Sequence, residues 1–125
     1  MLQHQTLVNV TDNTGAKIAR VFKVLGSSKK RYAEIGDLVV IAIQTAEPRK
    51  ALKKKDVVRA VVVRQKKAFR RADGSYIKFD DNAVVVVEAK KKEFETKGNR
   101  VFGPIPRELA MGKFKKVATL APEVV

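Results

Sequence analysis

The chain has 125 residues, no cysteine and a formal net charge of +14. Without cysteine, disulfides and thiolate metal sites are excluded, and a hydrophobic fraction of 45% argues against disorder as the default. Self-repulsion of this size opposes compaction and favours a polyanionic partner, nucleic acid first and an anionic membrane surface second. No apolar run approaches the length needed to cross a bilayer, and the start Met1-Leu2-Gln3-His4 lacks a signal-peptide pattern, so a reducing, cytosol-like compartment is expected.

Thr6 to Val10 alternates weakly and runs into the turn cluster Asp12-Asn13-Thr14-Gly15. Ile18 to Leu25 reads as a strand, with a short helix as the alternative. Gly36-Asp37 opens Leu38 to Ile43, a continuous apolar run that suits a buried strand. Pro48 and the basic run Arg49 to Lys55 connect it to another strand, Val57 to Val63. Two valine-dense runs, Ala60 to Val63 and Ala83 to Val87, then bracket a basic segment. Short strands separated by turns, with no ordinary helix between them, predict an antiparallel barrel or sandwich. After Glu88, Lys90 to Gly98 reads as a polar link. Pro104 and Pro106 flank the entry to a short helical stretch around Arg107 to Met111, which Gly112 ends, and a further turn or two follows at Lys113 to Ala118. One domain is expected: residues 1–88 as a barrel with a basic hairpin at 64–79, and 89–125 as linker and short helices capping it.

The hairpin is the feature most suggestive of function. With Asp73-Gly74 as a two-residue turn, Arg71 lies opposite Tyr76 and Phe69 opposite Lys78, with Lys67 beside them on one face. Arg70 then faces Ile77 and Ala68 faces Phe79. Cations beside rings suit phosphates and exposed bases; the plain alternative is a solvated hairpin whose charges only prevent edge pairing. Four basic tracts favour a polyanion: Lys29-Lys30-Arg31, Arg49 to Lys55, Arg64 to Arg71, and Lys90 to Lys92. All fall in predicted turns or connections. The residues expected to meet RNA are Lys29, Lys30, Arg31, Arg49, Lys50, Lys53, Lys54, Arg64, Lys66, Lys67, Phe69, Arg70 and Arg71.

Catalysis finds little support. His4 is the sole histidine, and Asp80-Asp81 would point to opposite faces of a strand. Asp12 and Asp37 stand beside turn formers, Ser27 and Ser28 lack a base, and the glycines form no phosphate loop. No enzyme activity and no cofactor are expected. A free single-strand binder is the competing reading, but aromatics total 6% with no tryptophan, a poor supply for a base-stacking platform.

Ala60 to Val63, then Asp73-Gly74, Phe79, Asn82, Val85 and Val86, resemble the signature segment of the universal large-subunit ribosomal protein fourteen family. Asp12-Asn13-Thr14-Gly15-Ala16, Lys23 to Gly26, Arg31-Tyr32-Ala33, Val101-Phe102-Gly103-Pro104, Arg107-Glu108-Leu109 and Leu120 to Val124 extend the resemblance over nearly the whole chain. Ala72 stands where proline is common, Lys55 where glycine is common, and Asn99 where threonine is usual. The resemblance implies a mainly β fold: a small five-stranded antiparallel β-barrel with a projecting β-hairpin and short C-terminal helices. It also implies a non-enzymatic component of the large subunit that binds large-subunit rRNA and lies beside other ribosomal proteins. Contact with small-subunit rRNA follows too, through an exposed face carrying Arg100, Arg107 and Lys113. A ribosome-silencing factor can occupy that face in the bacterial and organellar members. The location implied is a cytoplasmic ribosome, with an organellar ribosome left open.

Overall fold

The computed structural model describes residues 2–26, 31–90, 93–111 and 114–125. In chain order the strands are β1 (Leu7–Val10), β2 (Ala16–Val24), β3 (Leu38–Ala46), β4 (Val57–Arg64), β5 (Phe69–Arg70), β6 (Tyr76–Ile77), β7 (Ala83–Lys90), β8 (Glu93–Thr96) and β9 (Pro104–Ile105). A 3₁₀ turn (Arg107–Met111), a short helix α1 (Lys115–Leu120) and β10 (Glu123–Val124) complete the description. No helix among these residues is long and apolar enough to cross a membrane.

Strands β1 to β4 form an antiparallel meander, and β7 pairs antiparallel with β4. A parallel pairing of β7 with β1, Asn9 to Ala83 and Val10 to Val84, closes the five strands into a barrel. Closure leaves those strands without free edges, which removes the aggregation hazard of valine-rich strands. The barrel alternative is therefore the one realised, and the stretch from Ile18 is strand rather than helix.

The near-continuous valine runs of β4 and β7 have a specific cause. Ala60, Val62, Val84 and Val86 point into the barrel with Val21, Val39, Ile41 and Ile43. Their neighbours Val61, Val63, Val85 and Val87 point outward, into a second core built with Ile35, Val101, Ile105, Leu109 and Val117. A strand buried on both faces loses its polar alternation. Each fully buried valine contributes roughly 1.5–3 kcal/mol through burial. The C-terminal elements thus cover the outer wall made by β4 and β7. Phe94 and Phe114 stack over that second core with ring centroids 5.1 Å apart.

The structure corrects one sequence expectation. The stretch Lys90 to Gly98 is not merely a link: it contains β8, which folds back antiparallel on β7 with Val87 opposite Thr96 and Glu88 opposite Glu95. The short helical stretch expected around Arg107 to Met111 is a 3₁₀ helix over Arg107–Met111, and the turn expected after it at Lys113 to Ala118 is α1, Lys115–Leu120. The predicted stop at Gly112 lies outside the described residues.

The basic loop between β3 and β4 has an unusual backbone. Arg49 has φ 63° and Lys55 has φ 75°. Both occupy the left-handed region, where a side chain costs on the order of 1 kcal/mol. At Lys55 this explains why glycine suits the position. Asp56 holds the loop by accepting a hydrogen bond from the Lys53 N–H at 2.9 Å, while the Lys55 N–H donates to the Ile43 carbonyl at 2.8 Å. Replacing Lys55 by Gly is expected to stabilise the fold by about 0.5 kcal/mol, since relief of strain exceeds the extra freedom glycine has when unfolded. A denaturant titration reads this as a raised midpoint; a lowered midpoint would refute it.

Candidate nucleic-acid interface

The hairpin differs from its predicted register by one residue. Phe69 pairs with Ile77 and Arg70 with Tyr76, so the loop spans Arg71 to Ser75 rather than two residues. Asp73 causes the difference. Its carboxylate accepts hydrogen bonds from the Ser75 N–H at 3.0 Å and the Ser75 hydroxyl at 2.6 Å. The Arg71 N–H meanwhile donates to the Ser75 carbonyl at 2.8 Å. This side-chain turn uses up an extra residue.

A one-residue slip exchanges the faces. Phe69 and Ile77 share a face, and Phe69 packs against the second core, which limits its ring as a stacking surface. The exposed cation-and-ring pair is instead Arg70 with Tyr76, whose side chain is two-thirds exposed. Lys66, Lys67 and Lys78 are exposed nearby.

Two of the predicted RNA contacts have structural work. Arg64 is only 8% exposed. Its Nε and Nη2 donate to the two carboxylate oxygens of Asp81 at 2.9 and 3.2 Å, and Nη1 donates to the carbonyls of Phe102 and Pro104 at 2.9 and 3.2 Å. A register shift between Val62 and Arg64 marks the bulge that re-aims this side chain. Gly103, with φ 80°, gives it room: a Cβ there would collide with the guanidinium. Arg71 lies with Nε 2.9 Å from Glu108 Oε1, a charge contact without hydrogen-bond alignment, and Nη2 donates to the Val125 carbonyl at 2.5 Å. Arg107 pairs loosely with Asp73 at 3.5 Å. The hairpin tip is therefore tied to the C-terminal segment, so the ribbon is a docked arm.

The other predicted cations divide clearly. Arg49, Lys50, Lys53 and Lys54 are exposed on the loop between β3 and β4, and Arg31 is exposed after β2. Arg100 is exposed, its backbone N–H donating to Asn13 Oδ1 at 3.2 Å. Lys29, Lys30 and Lys113 lie outside the described residues, as do Lys91 and Lys92 of the fourth tract. Among the cations not singled out by sequence, two share a row of the barrel. Lys23 is paired with Val40, and Val40 with Arg59, so both exposed side chains sit on one row of the barrel wall. Strand alternation in β2 and β4 is the signal that could have found them.

The carboxylates near these cations serve the fold. Burial raises Asp81, but hydrogen bonds from Arg64 and Asn9 outweigh it and hold the carboxyl below its ordinary value. Burial pushes Asp12 up, offset only in part by the Thr14 hydroxyl and the Val86 N–H that it accepts. No three His, Asp or Glu side chains among the described residues converge to hold a metal ion.

The surface so formed suits backbone neutralisation. Its charges are spread over loops, a ribbon and a barrel wall. Dispersed phosphate contacts give affinity and orientation with little sequence readout. The whole chain, residues 1–125, matches the family model described as ribosomal protein L14p/L23e.

Asp81→Asn is expected to cost about 2–4 kcal/mol at pH 7, because it leaves Arg64 buried with an uncompensated charge. The depressed Asp81 pKa means its contribution is present above the unfolded value of 3.8 and is lost as pH falls through the folded one. The stability gap between wild type and variant should therefore narrow below about pH 4. Denaturant unfolding across that range checks it; a gap independent of pH would contradict the role assigned to Asp81.

Proposed function

Because the chain belongs to the ribosomal protein L14p/L23e family, we propose that it neutralises closely packed large-subunit rRNA and contributes to the contact with the small subunit. As a family member it is a structural protein of the large ribosomal subunit, working in the ribosome beside rRNA and other ribosomal proteins. The family is one of structural ribosomal proteins, not of enzymes.

The observation that carries the rRNA reading is the separation of two kinds of cation. Arg64 and Arg71 are enclosed by protein partners, whereas Lys66, Lys67, Arg70 and Lys78 on the ribbon and Arg49, Lys50, Lys53 and Lys54 on the loop stand in solvent. Unpaired exposed charge on a scaffold of net charge +14 asks for counter-charge from outside the chain. Lys23 and Arg59 extend that surface around the barrel.

Contact with the small subunit is assigned to the surface around Arg100, with Arg107 as a weaker candidate because Asp73 lies beside it. Arg100 is supported by its exposure and by the Asn13 side chain, which fixes the backbone at Asn99 and Arg100. The same surface is proposed as the docking place of a ribosome-silencing factor. The Asn99 side chain accepts a hydrogen bond from Asn13, which leaves Arg100 as the principal recognition group.

Replacing Lys66, Lys67, Arg70 and Lys78 together by Ala is expected to weaken binding to large-subunit rRNA while leaving the unfolding midpoint within about 0.5 kcal/mol of wild type. Each lost phosphate contact lowers the slope of log K against log salt by about 0.7–0.9, so the slope should fall by up to roughly 3. An unchanged slope would remove the ribbon from the interface. Arg100→Glu should disturb subunit joining more than incorporation into large subunits, measured by sedimentation; normal joining would count against that assignment.

A further inference from the structure

Phe102 has an exposure the barrel does not explain. Its ring is 52% exposed and lines a cavity of about 380 Å³, within the range of small-ligand pockets. The remaining walls come from the end of β1 and the turn after it, which bring Asp12 and Asn13, from Lys17 on β2, and from Glu47 and Lys50 after β3. Segments far apart in sequence thus converge there.

The walls are held before anything binds. The Phe102 N–H donates to the Thr11 carbonyl at 2.6 Å, and its own carbonyl accepts from Arg64 at 2.9 Å. On the other side, the Glu47 N–H donates to the Gly15 carbonyl at 2.7 Å and the Leu52 N–H to the Thr14 carbonyl at 3.1 Å. The approach is so close that a Cβ at Gly15 would strike Lys50. Such a preformed site avoids the ordering cost of binding. The Asp12 carboxylate, which also lines the cavity, accepts from the Thr14 hydroxyl and the Val86 N–H. Lys17 keeps only a loose ion pair with Glu47 at 3.8 Å, and Lys50 is exposed.

We propose that this cavity takes one unstacked nucleotide of ribosomal RNA, with its base on the Phe102 ring and its phosphate against Lys50 and Lys17. An aromatic face accepts any base, and the two lysines provide the backbone's counter-charge. The proposal rests on the rRNA-binding reading above and adds a site to it. The base can come from the large-subunit RNA or, across the interface, from the small-subunit RNA; the chemistry is the same.

The test uses the full chain and four forms of residue 102: wild type, Phe102→Tyr, Phe102→Leu and Phe102→Ala. Each is titrated with a single-stranded hexaribonucleotide carrying one 2-aminopurine and, separately, with an RNA duplex of equal phosphate number. Wild type and Phe102→Tyr should quench the fluorescent base, whereas Phe102→Leu and Phe102→Ala should bind the single strand about 5- to 100-fold more weakly. Duplex affinity should stay within about twofold in all four, since phosphate contacts are unchanged.

Base-reactivity probing of assembled ribosomes gives the second readout. One nucleotide should be protected with wild type and reactive with Phe102→Ala. Protection already present in free large subunits identifies a large-subunit base; protection that appears only on joining identifies a small-subunit one. Equal single-strand affinity in wild type and Phe102→Ala, with no nucleotide changing reactivity, overturns the site while leaving rRNA binding intact. Phe102→Leu behaving as wild type also overturns it, because stacking on the ring would then contribute nothing to binding. Failure of wild type to bind the single strand, the duplex or large-subunit rRNA overturns the underlying reading as well.

Discussion

Arg64 sits where the barrel, the ribbon and the C-terminal segment meet, and all three nitrogens of its guanidinium donate within the protein. A buried cation costs several kcal/mol in lost hydration unless its partners replace water, and here they do so with a carboxylate and two carbonyls. Asp81, which receives the fork, also accepts from the Asn9 amide on β1. The pairing therefore couples the return of the hairpin to the strand that closes the barrel. The carbonyls of Phe102 and Pro104 bring in the segment that positions Arg100. Without this junction, the barrel, the ribbon and the C-terminal segment would lose their common reference.

The distribution of charge follows from that arrangement. Three acidic side chains hold the fold: Asp12 under the first turn, Asp81 on Arg64 and Glu108 on Arg71. Exposed lysines and arginines remain on the loop between β3 and β4, on the ribbon and on the barrel wall. A polyanion entering those surfaces relieves the repulsion that the isolated chain must bear. The fold tolerates that repulsion because two apolar cores share the walls β4 and β7, so their valines are buried on either face.

Docking of the ribbon tip changes how the arm should be regarded. Arg71 and Asp73 hold it to Glu108, Val125 and Arg107, so its exposed cations have a defined position relative to the barrel. A partner that binds a fixed arm pays less ordering entropy than one that binds a free arm. Arg107 and Asp73 are both well exposed, so their link is the weaker of the tip's ties.

Much of this was legible in the residues. Valine-dense runs separated by turns specify short buried strands, and the basic tracts between them mark where charge must lie, because β-branched side chains favour the pleated core and lysine does not. The signature residues and the match over the whole chain assign the family. What the residues left open was pairing. Asp73 could cap a two-residue or a longer loop, and only its bonds to Ser75 decided that Arg70, not Arg71, stands beside Tyr76. Likewise nothing local distinguishes Arg64 from Lys66: both belong to one basic run. Tertiary structure separates them, because a side chain's role depends on which distant carboxylate and carbonyls the closed barrel brings within hydrogen-bond reach.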